Sequence, residues 1–254
     1  VILADDNAVV AGNGSDDSNS YRGGTIFTIN GGTMIGNIES TNYIACGVYH
    51  PQQGQLNITG GTIVAKNGVG VLVRGGNANI TGGNIIVYGN TATSGGVGDA
   101  QNKVGAYGVV YDLRPAYKGH EDGDSIHISG TASITGGVGA VDVIEETEQS
   151  APRYDEIVIT GGSFRENVSD YFPDGAALTQ DSSGKVVEDN TNPIVARVDG
   201  IGYTNLQDAI NAASESATVT LEANITNTNV NSGSSQVNDD DEATLLIVRK
   251  DITI

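Results

Sequence analysis

Basic residues are scarce in this chain: 12 Lys and Arg stand against 31 Asp and Glu, for a formal net charge of −19. Binding nucleic-acid phosphates or an anionic membrane surface needs a basic stripe, and no window concentrates Lys or Arg, so neither partner is expected. Cysteine is reduced to Cys46, which excludes an intrachain disulfide framework and any Cys-based zinc site. Beside Gly47 and Val48 it reads as a small buried hydrophobe. Tryptophan is absent and aromatics make up 5%, so a core must be assembled from Val, Ile, Leu and Ala. No apolar run approaches the roughly 18 residues of a membrane span, and membrane insertion is not expected. What the chain has in excess is glycine, 36 residues, together with 23 Asn and 22 Thr. These three favour extended strands joined by tight turns, because Gly and Asn tolerate left-handed backbone and Thr prefers strands.

The glycines are not scattered. Ile58-Thr59-Gly60-Gly61, Ile80-Thr81-Gly82-Gly83 and Ile159-Thr160-Gly161-Gly162 repeat one phrase, with Ile29-Asn30-Gly31-Gly32 and Ile128-Ser129-Gly130 as variants. A second phrase follows each of the first four: Gly47-Val48-Tyr49, Gly70-Val71-Leu72-Val73, Gly108-Val109-Val110-Tyr111 and Gly139-Ala140-Val141-Asp142-Val143. Each repeat is therefore expected to hold two short strands. The first Gly of the phrase recurs at spacings of 29, 22, 48 and 31, and the shortest marks a 22-residue basic unit. Ile134-Thr135-Gly136-Gly137 competes for the fourth position. It loses, because taking Gly130 aligns Ile128 to Val143 with Ile58 to Val73 through one deletion.

Two strands and their turns per 22 residues suit a parallel β-solenoid of about five coils, each unit stacked on the last. Alternation then places Ile29, Ile58, Ile80, Ile128 and Ile159 inward. Asn30, Thr59, Thr81, Ser129 and Thr160 form an outward polar ladder. The Gly-Gly pairs are read as corners needing positive φ or lacking room for a Cβ. Asn30, Ser129 and the unequal coil lengths break the flat lattice that an ice-binding face needs.

The pattern resembles the right-handed, single-stranded parallel β-helix of the pectate-lyase-like superfamily. It resembles more closely the Gly-Gly-Thr repeat modules in large surface proteins of Gram-positive, often gut-dwelling, bacteria. The resemblance covers about Gly24 to Val187, with Phe164 to Val187 similar to the exit segment that closes such a helix. It implies an extracellular, cell-surface location and an adhesin-like or stalk role. It also implies an alternative, a polysaccharide lyase or glycoside hydrolase. The phrases expected of those enzymes are missing: there is no paired-Asp strand motif, no Gly-His-Gly and no Arg-x-Lys, and no catalytic residue is assigned.

The reading divides the chain into a parallel β-helix over 1–190 and a C-terminal strand-helix-strand segment over 191–254. Residues 188–193 read as a linker. Asp199-Gly200 reads as a turn, and Thr204 with Gln207 as a capping box for a short helix with Leu206, Ala209, Ile210 and Ala213 on one face. This segment is similar to the cap that opens a β-helix. Either it covers the first helix, or Leu245 to Ile254 begins a second one. The chain opens on Val1-Ile2-Leu3 and stops within a strand-like run, so it is expected to be one tandem module of a larger protein.

Insertions on a rigid repeat are where function is usually grafted. Here they fall at about 113–124 and 145–156, on one corner of adjacent coils. With the strand beneath, they offer Tyr107, Tyr111, Arg114, Tyr117, His120, Glu121, Asp122, Asp124, Arg153 and Tyr154 as candidate ligand-binding residues. Tyrosine rings that stack on sugar C–H faces, beside carboxylates and Arg that bond hydroxyls, suit a host or microbial glycan, and a surface protein is the other partner considered. No metal site is assigned. Calcium is weakly signalled by Glu121, Asp122, Gly123 and Asp124, and by a nonapeptide-like Gly136-Gly137-Val138-Gly139 whose aspartate, Asp142, comes one residue late.

Overall fold

The computed structural model describes residues 1–4, 8–11, 25–36, 46–51, 53–66, 68–89, 106–113, 123–144, 156–224 and 252–253. These divide into two compact units. The first holds Val1–Tyr171 and Gln180–Val186, the second Phe172–Thr179 and Val187–Ile254. The chain crosses from one to the other between Tyr171 and Phe172, within β14 (Leu178–Gln180) and within β15 (Val186–Glu188).

The first unit is built from two parallel sheets, and the chain visits them in turn. Sheet A takes β1 (Ile2–Ala4), β3 (Thr25–Gly36), β5 (Gly54–Ala65) and β7 (Asn77–Val87), then two split strands, β9 (Ile126–Ile128) with β10 (Ser133–Thr135) and β12 (Ile157–Ile159) with β13 (Ser163–Phe164). Sheet B takes β2 (Val9–Val10), β4 (Cys46–His50), β6 (Val69–Val73), β8 (Tyr107–Asp112) and β11 (Gly139–Ile144), in that same order. Both orders run the same way, so each repeat adds one strand to each sheet.

The registers follow the repeated phrase. Ile29 pairs with Ile58, Ile58 with Ile80, Ile80 with Ile128, and Ile128 with Ile159. All five are buried, while Asn30, Thr59 and Thr81 are exposed. Ile134 pairs with Ile85, so the competing phrase at 134–137 belongs one half-strand further along. A second inward column runs through Met34, Ile63, Ile85, Ile134 and Phe164. Four residues lie between Ile128 and Ser133 where three lie between their partners Ile80 and Asn84, and the extra residue splits β9 from β10.

Two expectations are corrected here. Gly130 and Gly161-Gly162 fall between the halves of the two split strands, whereas in β3, β5 and β7 the Gly-Gly pair does not end a strand. It sits inside β5, a 12-residue strand, as a register shift, so the first strand of the repeat is long and the second short. Each glycine has its own reason. A Cβ on Gly60 would stand 2.8 Å from the carbonyl oxygen of Asn30, whereas Gly61 takes φ +93°, open in practice to glycine. The fourth copy of the second phrase is also shifted by one residue: Val141 pairs with Val109, Gly139 lies beside Tyr107, and Ala140 takes the place of Gly108.

Sheet B is buried on both faces through β4 and β6. A separate apolar cluster gathers Cys46, Tyr49, Val69, Leu72 and Val110, with Tyr107 and Ile144 against it. At the end of sheet A, Ser163 bridges Lys185 in antiparallel fashion. The N–H of Val186 donates to Gly162 O at 2.9 Å and that of Phe164 to Gly184 O at 2.9 Å. Gln180 fastens the same segment, accepting from the Val168 N–H at 2.8 Å and donating to Glu166 O at 3.0 Å.

The second unit is an antiparallel sheet of β16 (Ala196–Val198), β17 (Ile201–Tyr203) and β18 (Val219–Leu221), with α1 (Leu206–Ala212) packed on it. Asp199 (φ 49°) and Gly200 (φ 83°) make the tight two-residue hairpin turn. The helix cap lies one residue later than the spacing suggested. Asn205, extended at φ −143°, accepts from the Asp208 N–H at 2.9 Å, because a short amide side chain reaches the third helical N–H from there. Of the strand-like run 245–254, only 252–253 are described, and Thr253 bridges Thr218 in parallel. Among the described residues no helix is long and apolar enough to cross a membrane.

Candidate functional site

The chemistry of the first unit gathers at the turn that leads from sheet B back to sheet A. In three successive repeats β4, β6 and β8 end there, and β5, β7 and β9 begin. Aligning Gly70 with Gly108 sets Arg74 beside Asp112, and the structure pairs them, Nε to Oδ2 at 3.2 Å, with both side chains all but inaccessible. Burying two charges is costly unless each neutralises the other, so this pair is a fixed joint between neighbouring repeats.

Beside it lies a buried carboxylate. Asp124 accepts hydrogen bonds from Gln53 Nε2 at 2.5 Å, from the Gly76 N–H at 3.2 Å and from Asn77 Nδ2 at 3.2 Å. The Ser125 N–H donates to Asn77 Oδ1 at 3.0 Å, closing a ring between two repeats. The Tyr111 hydroxyl donates to Gly76 O at 3.0 Å from a fully buried ring. His50 completes the turn. Its Nδ1–H donates to Ala11 O at 2.5 Å, and burial pushes its pKa down, against the opposing pull of the Ala11 and Gly54 carbonyls and the Asp124 carboxylate. The ring is therefore neutral at neutral pH.

Three of the candidate residues, Tyr107, Tyr111 and Asp124, are among those described. Tyr111 and Asp124 come together, both bonded to Gly76, but as internal joints; Tyr111 has no exposed surface with which to touch a ligand. Tyr107 stands apart. Its ring lies against Gly139, and its hydroxyl pKa is raised by burial and by the charge of Asp142. Arg114, Tyr117, His120, Glu121, Asp122, Arg153 and Tyr154 lie outside the described residues, as does the side-by-side placement of the two insertions. Among the described residues no three His, Cys, Asp or Glu side chains are grouped to hold a metal ion.

Asp142, part of the fourth copy of the second phrase and the late aspartate of the nonapeptide-like run, lies on β11. It stands beside Val110 at the edge of sheet B, where burial raises its carboxyl pKa to about 6. The folded protein thus binds a proton in a window, from about 4 to about 6, where the unfolded chain has released it. Stability falls as pH rises through that window. Asp142→Asn is expected to raise the unfolding free energy at pH 7 by on the order of 1 kcal/mol, discounted for partial exposure, and to change nothing at pH 3. Urea unfolding at the two pH values checks this; equal effects at both would contradict it.

Comparison of the chain with protein-family models, with curated proteins and with solved structures finds no match.

Proposed function

We propose that the two parallel sheets are faces of one right-handed, single-stranded parallel β-helix, and that the chain is a stalk-like, adhesin-like module of an extracellular surface protein. The module carries glycan-binding loops on its third and fourth coils. One observation carries this reading: the strands alternate between two sheets whose orders run in parallel. Connections between parallel strands of one sheet are almost always right-handed, which supports the hand of the coil.

A scaffold of this kind offers stiffness and a place to mount insertions. The 113–124 insertion ends on Asp124, whose three hydrogen bonds fix that end to neighbouring repeats. Rigid footing favours binding, since less conformational freedom is lost when the ligand is seated. The described carboxylates at this turn, Asp112 and Asp124, are engaged in the ion pair and the hydrogen-bond ring, which favours binding over glycosidic hydrolysis by a carboxylate pair.

Screening the 254-residue chain on a glycan array tests the proposal. A glycan is expected to be retained, and Tyr117→Ala with Tyr154→Ala is expected to weaken binding at least tenfold. No retained glycan, or binding indifferent to both substitutions, would leave a passive spacer in place of a binding module.

A further inference from the structure

We propose that Ser125 and His127 form a nucleophile–base pair on the outer face of sheet A, and that Ser125 takes up the acyl group of an activated carboxylic ester. Ser125 Oγ and His127 Nε2 stand 2.9 Å apart, in a contact that lies at the surface. Ser125, just before β9, and His127 within it flank the buried Ile126, so alternation puts both side chains on the outward face. β9 is an interior strand, paired with β7 on one side and β12 on the other. The placement of the pair therefore does not depend on where the sheet ends.

A serine hydroxyl is a weak nucleophile until a base accepts its proton. His127 is that base in the tautomer with its proton on Nδ1, where Nε2 accepts from the hydroxyl. Partial burial against the sheet pushes its pKa below the ordinary 6.5, so the ring is neutral and able to take a proton at neutral pH. The register sets Asn79 beside His127 on β7 and Val158 beside it on β12, neither of them titratable. Beside Ser125 stand Asn77 and the buried Glu156, one residue ahead of the Ala78–Ile126 and Ile157–Ile126 pairs. Asp124, the preceding residue, is turned to Gln53, Gly76 and Asn77. Burial sets the direction of the His127 shift.

The backbone of Ser125 is held on both sides. Its N–H donates to Asn77 Oδ1 at 3.0 Å, and its carbonyl oxygen accepts from the Ala78 N–H at 3.1 Å. The hydroxyl is thus presented from fixed main chain, with little freedom left to lose when an ester is attacked. In the reaction Ser125 Oγ bonds to the ester carbonyl carbon while its proton passes to His127 Nε2. The bond from that carbon to the leaving oxygen breaks, and the proton departs with the leaving alcohol. Water then repeats the sequence on the acyl-serine, freeing the acid and restoring the hydroxyl. Among the described residues no carboxylate is bonded to His127 Nδ1 to steady the imidazolium, which confines the substrates to esters with good leaving groups.

Incubating the 254-residue chain with p-nitrophenyl acetate and locating the acetyl group by peptide mass mapping tests the proposal. Ser125 is expected to be acetylated ahead of every other serine. His127→Gln, which keeps a hydrogen-bonding side chain but no base, should slow acetylation of Ser125 by about a hundredfold while leaving the far-ultraviolet circular dichroism unchanged. The rate should rise with pH through an inflection below 6.5 and then level off, as His127 loses its proton. Another serine acetylated first, a rate indifferent to His127→Gln, or a rate that climbs through neutrality without levelling would each overturn it.

Discussion

Replacing Arg74 by methionine is expected to lower the unfolding free energy by about 3–5 kcal/mol, with Asp112→Asn close behind. Arg74 and Asp112 meet at 3.2 Å, each with about 1% of its side chain or less exposed. Removing the cation leaves a carboxylate in a site with almost no water, and that desolvated charge, more than the lost attraction, sets the size of the loss. The double replacement Arg74→Met with Asp112→Leu removes both charges and should recover most of the stability. Urea unfolding of the three variants checks the prediction. A double variant as unstable as the worse single one would mean that the pair's hydrogen bonds hold the turn together irrespective of charge.

Gly70→Ala is expected to cost about 3 kcal/mol, the upper end of the usual penalty for overpacking a core. A Cβ there would point at the Gly108 carbonyl oxygen and at Ile85 Cγ2, nearer than real Cβ atoms approach. Gly47 and Gly108 occupy the same column, against Ile63 and Ile134. The obstacle is largely backbone of the next repeat, which cannot move without unpairing β6 from β8. Gly31→Ala provides the control: nothing lies within 4 Å of its Cβ position and its φ is outside the left-handed region. It should fall within about 0.5 kcal/mol of the parent. Thermal unfolding of the two variants separates glycine kept for close approach from glycine that its place in the strand merely tolerates.

The repeat was legible because it is written in one short phrase. Ile-Thr-Gly-Gly or a close variant recurs in β3, β5 and β7 and at the ends of β9 and β12, and the inward Ile and the polar residue after it alternate as a half-buried strand requires. The second strand was harder to orient. With both faces of sheet B buried, hydropathy carries no contrast between in and out, so Tyr111 read as available to a ligand when its ring is interior. The anchoring of Asp124 was not legible, because its partners Gln53, Gly76 and Asn77 lie 71, 48 and 47 residues away. Only a full register would have found them. The Arg74–Asp112 pair did leave a signal, since the Gly70 and Gly108 phrases each place a charge four residues on. Asp142 left one too, a carboxylate where the preceding repeats carry Leu72 and Val110. The Gly-Gly pair misled in the other direction, because a bulge inside a strand and a corner at its end call for the same residue.

The stacking of the repeats, including the 48-residue interval, can be tested by cross-linking. In a Cys46→Ala background, Asn79→Cys with His127→Cys joins exposed side chains that the register sets side by side on β7 and β9. Asn79→Cys with Ser133→Cys represents the competing alignment; in the structure Ser133 lies beside Asn84 instead. Neighbouring in-register positions are within the Cα separation a disulfide accepts, and positions five residues apart along a strand are not. Under mild oxidation the first pair should close to an intramolecular disulfide and the second should remain reduced. Closure of the second pair and not the first would contradict the stacking on which the account rests.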